Sequence, residues 1–123
     1  MISGQINSNI EAVISVPIQD KDGQIRTYQA VIDTGFSGYL TLPLSVVSIL
    51  QLPIIETRAF SLGDNQRVDF DLYSVTVVWD GEVREILALA SEAFPLVGMS
   101  LLKGFHLSMD VVDGGEVSLA SRR

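Results

Sequence analysis

Val31-Ile32-Asp33-Thr34-Gly35-Phe36-Ser37-Gly38 places one carboxylate directly after an apolar run and on a turn that contains glycine. Apolar side chains recur at every second residue up to Ile32, which predicts a β-strand that ends at Asp33. A second apolar pair followed by glycine, Leu96-Val97-Gly98, lies nearer the C-terminus and precedes a short predicted helix. The chain contains the Asp-Thr-Gly triplet once. Chemistry that needs an acid and a base from two such aspartates would therefore require two copies of the chain.

Alternating apolar residues, separated by turn residues, predict strands along most of the chain. These predicted strands span residues 12–18, 28–32, 39–42, 58–62, 66–79, 82–90, 105–111 and 116–120. Pro43 and Pro53 bound one short predicted helix, and Met99 to Lys103 forms another, with Gly104 at its C-terminal cap. Asp80-Gly81 predicts a two-residue hairpin turn. We therefore expect one all-β domain over residues 1–123, with one or two short helices.

The longest predicted strand changes phase in its middle. Val68, Phe70 and Leu72 have one parity, whereas the apolar residues from Tyr73 to Trp79 have the other, and we expect Tyr73 and Trp79 to lie in the core. Successive side chains of a strand point to opposite faces, so the change predicts a bulge or a switch in which face is covered. A hairpin that projects beyond the core and then enters it would have this pattern.

Composition excludes several classes of function. The 123 residues carry a net charge of -7, which disfavours nucleic acid as a partner because its phosphates attract basic surfaces. With no cysteine and one histidine, His106, the chain predicts no metal site. The sequence shows neither a secretory leader nor an apolar run of membrane-spanning length, so we expect a cytoplasmic protein with no membrane partner.

The order of these segments resembles that of the retropepsin-like aspartic proteases, the single-domain homodimeric relatives of pepsin, and is most similar to their small soluble bacterial members. The resemblance covers the chain from Ala12 to Leu119 and rests on Asp33-Thr34-Gly35, a later hairpin, and Leu96-Val97-Gly98. It implies a closed β-barrel in a homodimer and aspartic endopeptidase activity on a peptide or protein substrate. It also implies that no cofactor is needed.

The resemblance assigns roles to the two glycine-containing segments. Asp33 would be the catalytic residue, and one Asp33 from each subunit would activate a water between them. Thr34 would tie the two active-site loops together across the dimer axis, and Gly35 would let the substrate backbone approach. Gly98, with the apolar pair before it, would pack beneath the active-site loop.

Substrate contacts are implied for the hairpin and for Phe36. Leu62, Gly63, Asp64 and Asn65 would belong to a flap over the substrate, and Phe36 would narrow a pocket beside Asp33. Turn residues are also typical of an ordinary hairpin tip, so the flap and a plain turn remain alternatives for these positions. Because residues 105 to 119 are apolar for a surface strand, we also expect the terminal strands of two subunits to pair.

Two departures from the retroviral pattern concern dimer bracing. Ser37 and Met99 stand where retroviral members often carry a mutually paired acid and arginine. Because both members of that ion pair are replaced by uncharged residues, neither position leaves an unpaired charge.

Other functions remain open at this stage. Asp33 could instead be a turn residue that caps Gly35 or Ser37, and Gly98 could be a simple strand-to-helix turn. The whole chain could also be a non-catalytic peptide-binding or dimerisation module that keeps the same fold. The intact Asp-Thr-Gly triplet favours cleavage, because a binding module has no chemical use for it.

Overall fold

The structure, a computed structural model, describes residues 1–61 and 64–122 of the chain. Those ranges contain ten strands and two short helices, which confirms the predicted all-β class. The strands are β1 (Ile2–Ile6), β2 (Ala12–Gln19), β3 (Ile25–Ile32), β4 (Leu40–Leu42), β5 (Ile54–Ser61), β6 (Arg67–Trp79), β7 (Glu82–Ala90), β8 (Leu96–Val97), β9 (Phe105–Met109) and β10 (Glu116–Ser121). The helices are α1 (Leu44–Leu50) and α2 (Met99–Leu102).

The sheet closes on itself. Hydrogen-bonded neighbours follow the order β5-β6-β7-β4-β8-β3-β2-β1-β10-β9, and β6 also pairs with β2. This extra pairing places Ile18 opposite Val77 and Gln19 opposite Thr76. The strands β2, β3, β8, β4, β7 and β6 therefore form a ring, and the predicted closed barrel is confirmed.

Apolar side chains from the ring and both helices form a single core. Ile18, Leu42, Val77 and Leu101 are each 0% exposed. Complete burial of one large apolar side chain stabilises a fold by about 1.5–3 kcal/mol. Tyr73 and Trp79 also lie in this core, as their parity in the sequence predicted.

The phase change in β6 coincides with a bulge, and that bulge lies in the neighbouring strand. Leu72 and Tyr73 are both buried although they are consecutive, and β6 keeps an unbroken register with β7 there. On the other side, the register of β5 shifts between Ile54 and Glu56, opposite this point. The bulge marks where the β5–β6 hairpin leaves the barrel wall.

The two ends of the chain pair with each other. β1 runs antiparallel to both β10 and β2, with Gly4 opposite Val117, and β9 follows β10 as the outer strand. The sequence did not predict β1, because Gly4 interrupts its apolar pattern. The sequence predicted an exposed strand edge in the apolar segment from 105 to 119. In the described sheet, the strand of that segment at the edge is β9.

Both predicted helices are present, with small differences at their ends. Pro43 is the extended N-cap residue of α1 rather than its first helical residue. The helix ends at Leu50, followed by Gln51 in the left-handed region with φ 51°, so it stops before Pro53. No helix in the ranges 1–61 and 64–122 is long and apolar enough to cross a membrane.

The turn between β2 and β3 is organised by Asp20. Its Oδ1 accepts hydrogen bonds from the N–H groups of Asp22 at 2.9 Å and Gln24 at 3.0 Å, and its Oδ2 accepts one from Arg26 Nε at 3.4 Å. Burial raises the pKa of the Asp20 carboxyl, but the two backbone N–H groups and Arg26 hold it below the ordinary value of 3.8. The charged carboxylate therefore stabilises the hairpin that leads to Asp33.

Asp20→Asn is expected to lower the melting temperature at about pH 7 and to have a smaller effect near pH 3. Asparagine keeps an acceptor oxygen but loses the charge. Because the folded-state pKa is depressed, the stabilisation is complete above the unfolded value and disappears as the pH falls through the folded value. Thermal melts of both proteins across this pH range test the expectation, with Asp22→Asn in the same turn as a control. A difference that stays constant on acidification would contradict it.

Candidate active site

Asp33 lies at the carboxyl end of β3, on a loop that its own hydrogen bonds shape. Its backbone N–H donates to the Val97 carbonyl oxygen at 2.9 Å, and its carbonyl oxygen accepts from the Phe36 N–H at 3.1 Å. The Gly35 N–H donates to Asp33 Oδ1 at 2.9 Å. The carboxylate is half-buried, whereas Thr34 and Gly35 are exposed. The side chain is thus oriented by the turn while solvent or a ligand can reach it.

The second glycine-containing segment holds this loop in place. β8 runs parallel to β3, with Ile32 opposite Val97. The Gly98 N–H then donates to the Tyr39 carbonyl oxygen at 3.0 Å, and the Met99 N–H donates to the Phe36 carbonyl oxygen at 2.8 Å. These contacts bring together two segments that are distant in sequence.

Ser100, in the first turn of α2, adds two further bonds to the motif loop. Its N–H donates to the Gly38 carbonyl oxygen at 3.1 Å, and its Oγ donates to the Ser37 carbonyl oxygen at 2.6 Å. Sequence reasoning did not identify Ser100. A serine just after a strand-to-helix glycine was the available signal.

Glycine is required at position 98 because the motif loop passes directly against it. A Cβ there would overlap the Gly38 carbonyl oxygen and would lie 2.6 Å from Phe36 Cδ2. The Phe36 ring also occupies the space that a Cβ on Gly38 would need. Phe36 thus packs over both glycines and fixes the spacing between the loop and α2.

A cleft of about 600 Å³ opens beside this loop, and we call it the motif-side cleft. Phe36 and Tyr39 line it from the loop, and Leu87 and Leu89 line it from β7. Phe36 therefore lines a cleft that reaches the motif loop at Gly35. The cleft lies within the usual size range of ligand pockets, about 300–1,000 Å³.

The β5–β6 hairpin also lines the motif-side cleft, next to β7, because Leu72 pairs with Leu89. Arg58 and Ser61 of β5 and Phe70 and Leu72 of β6 face it. None of these residues was predicted as a site residue from the sequence. The phase change at Leu72 could have identified Phe70 and Leu72, because it shows that their side of β6 leaves the core.

No protein-family model and no curated protein sequence matches the chain. Solved structures do match it. A retropepsin-like aspartic protease from Rickettsia conorii superposes with a TM-score of 0.62 and 17% identity, covering 98% of this chain and 90% of that one. The chain has the retropepsin-like fold. The protease of Simian Foamy Virus (mac) matches with a TM-score of 0.51 and 20% identity, over 72% of this chain and 90% of that one.

The residues predicted for a flap belong to the β5–β6 hairpin of this retropepsin-like fold. Its tip includes Asp64 and Asn65, where the Gln66 N–H donates to Asp64 Oδ1 at 3.1 Å and Asn65 has φ 64°. Leu62 and Gly63, also predicted as flap residues, lie outside the described residues. The visible part of the tip is therefore an Asp-capped turn.

A second groove, of about 440 Å³, also borders the motif loop of this retropepsin-like fold. It runs from the motif loop past α2 to β9, and its lining is Thr34, Met99, Ser100, Leu102, Lys103, Gly104, Phe105 and Leu107. Met99 is 49% exposed. We call this surface the β9-side groove.

The described part of the chain contains no group of three or more acidic or histidine side chains that could hold a metal ion. Asp69 and Asp71 lie on β6, and the Thr57 Oγ1 donates to Asp71 Oδ1 at 2.7 Å. His106 is exposed on β9.

Proposed function

We propose that the protein is an aspartic endopeptidase whose single active site is shared by two subunits, each a single domain spanning residues 1–123. The observation that supports this most directly is the position of Asp33, half-buried at the end of β3 and braced by β8 and α2 beside an apolar cleft. The retropepsin-like fold supports the same activity. Neither a metal nor an organic cofactor takes part in the proposed reaction.

The proposed reaction uses two Asp33 carboxyl groups, one from each subunit. Two carboxylates about 3 Å apart cannot both be ionised, so the pair shares one proton, and aspartic proteases are the standard example. The ionised member takes a proton from the bridging water as that water attacks the scissile carbonyl carbon. The protonated member donates its proton to the carbonyl oxygen, which gives a tetrahedral intermediate with two hydroxyl groups. The carboxyl group that took the water proton then gives it to the leaving nitrogen as the C–N bond breaks, and the other carboxylate regains a proton from a hydroxyl of the intermediate.

The neighbouring residues have supporting roles in this proposal. Thr34 links the two motif loops across the axis, Gly35 admits the substrate backbone, and Gly98 holds the loop from below. The hairpin tip, with Leu62, Gly63, Asp64 and Asn65, covers an extended peptide and bonds to its main chain as an added strand. Phe36 limits the depth of the pocket that receives a substrate side chain.

The proposed second subunit docks on the β9-side groove. Thr34 lies in that groove, so a partner seated there would bring its own motif loop close to the first. β9 is the outermost strand of the sheet in the described part of the chain and contributes Phe105 and Leu107 to the groove, and antiparallel pairing between two β9 strands would cover its outer edge. An isologous contact of this kind is the geometry that a two-fold dimer needs.

Mixing native and Asp33→Asn subunits tests the shared site. If each site needs two Asp33 residues, an equal mixture that has exchanged subunits contains about one quarter native pairs, so activity per chain falls to about one quarter. Independent monomeric sites would retain about half, because each native chain would act alone. Hydrolysis of casein or a peptide library after subunit exchange provides the measurement, and a value of one half would contradict the shared site.

The non-catalytic module makes a different prediction for the native protein. Peptide binding without turnover from about pH 4 to pH 8, and without displacement of peptide by a statine-type inhibitor, would favour the module. Turnover that such an inhibitor blocks would favour the protease.

A further inference from the structure

The motif-side cleft contains one charged side chain. Among the described residues that line it, Arg58 alone is charged, and the chain as a whole has a net charge of -7. Phe36, Phe70 and Leu89 are among its apolar lining residues, and the uncharged polar ones include Ser37, Ser61 and Ser100. The Arg58 side chain is 52% exposed, so water screens its attraction for a carboxylate and the expected preference is modest.

We propose that Arg58 makes this cleft selective for peptides that carry an acidic side chain two residues away from an apolar one. This inference rests on the proposed function, since it assigns a class of substrate to the same site. It adds a specificity-determining residue that acts by binding substrate rather than by chemistry.

The strand register places Arg58 and the apolar wall on one face of the hairpin. Arg58 lies directly opposite Phe70, and Glu56 lies opposite Leu72, so these four side chains share a face. The Thr57–Asp71 hydrogen bond lies on the other face. The cation and the aromatic ring therefore project together toward the cleft.

An extended peptide beneath the hairpin would match this arrangement. Alternate side chains of an extended chain share a face and lie about 7 Å apart. If one apolar side chain packs against Phe70 and Leu89, the next side chain on the same face lies within reach of the long Arg58 side chain. The volume of about 600 Å³ accommodates two side chains.

Arg58 also has the capacity to bind an additional carboxylate. It forms an ion pair with Glu56 through one terminal nitrogen, and the Arg58 and Glu56 side chains are 52% and 44% exposed. A guanidinium carries five N–H donors, so this pair leaves donors for a substrate carboxylate. Glu56 therefore competes with the substrate, and Glu56→Gln is expected to strengthen the preference for acid.

The test compares peptides that differ by one glutamate. Each peptide is acetylated and amidated and contains one phenylalanine. The peptides come in pairs that have either Glu or Gln at one position, and the set of pairs covers each position on both sides of the phenylalanine. Cleavage by the native protein is measured as kcat/KM, and binding is measured with the Asp33→Asn variant. We expect about fivefold preference for Glu over Gln at a position two residues from phenylalanine, in both measurements.

Arg58→Glu is expected to remove this preference and to favour Lys at the same position. Arg67→Glu, which changes the net charge equally near the tip of the same hairpin but outside the cleft lining, is the matched control and is expected to keep the preference for Glu. A second set of the same peptides is prepared without the C-terminal amide, so that each ends in a free carboxylate. If Arg58-dependent binding or cleavage is seen only with this second set, Arg58 recognises the end of the peptide chain, and the proposal of an internal acidic side chain is overturned.

The two proposals fail in different ways. An Arg58-dependent preference in binding, with no peptide cleaved, would support the specificity inference and overturn the protease. Cleavage with equal use of Glu and Gln at every position would overturn the inference and leave the protease standing. The absence of both binding and cleavage would overturn both.

Discussion

Asp33→Asn is expected to abolish peptide cleavage and to leave a folded protein. Loss of a positioned acid or base typically costs about 10²- to 10⁴-fold in rate, and this one substitution changes both members of the proposed pair. The asparagine side-chain oxygen still accepts a hydrogen bond, so the contact with the Gly35 N–H is retained. The measurement is kcat/KM on casein-derived peptides, alongside circular dichroism and sedimentation for fold and assembly.

Asp69→Asn is the matched control for this experiment. Asp69 is exposed on β6 and lies outside the motif loop. Its substitution by asparagine changes the charge by the same amount as Asp33→Asn. It is expected to keep native activity. Cleavage retained in Asp33→Asn would refute the catalytic role of Asp33, and equal losses in both variants would indicate a general effect of charge.

Gly98→Ala is expected to destabilise the protein by about 3 kcal/mol and to lower its melting temperature by roughly 10 °C. The new Cβ would meet the Gly38 carbonyl oxygen and the Phe36 ring. Phe36 could rotate, but the carbonyl belongs to a loop held by the bonds from Met99 and Ser100. Relief of the overlap would therefore move the loop that carries Asp33. Thermal melts and denaturant titrations measure the effect.

Gly35→Ala separates this steric effect from a general effect of removing glycine. Among the residues that the structure describes, a Cβ at position 35 would meet only Asp33 Oδ1, at 3.2 Å, so we expect a much smaller change in stability. Peptide cleavage should nevertheless fall, because the methyl group would lie beside the carboxylate. A Gly98→Ala protein as stable as the native one would contradict the close packing at this site.

Local chemistry explains most of what the sequence could predict. Asp80 and Gly81 have φ 52° and 81°, as a two-residue hairpin turn requires, and their types alone identified the turn. Asp33 and Gly98 were recognisable because each follows an apolar strand and introduces a change of direction. The first strand was missed because Gly4 sits where a Cβ would collide with the backbone of β2, a contact between residues distant in sequence.

The cleft could not be predicted from the sequence because it depends on which strands face each other. Arg58 occupies an unremarkable position in an alternating strand, and only the fold, which places the motif loop and the β5–β6 hairpin around one cleft, makes it part of the wall. The bulge illustrates the same limit. Parity in β6 indicated an irregularity, but only the pairing showed that the shift in register lies in β5 near Ile55.

The pairing of β1 with β10 has a consequence for synthesis on the ribosome. The closed ring uses strands from β2 to β8, so all of its segments have been translated by Val97. β1 leaves the ribosome first, yet its partner β10 is translated last, with Leu119 opposite Ile2. The barrel can therefore form while β1 has one edge without its β10 partner, and the later appearance of β10 completes the sheet.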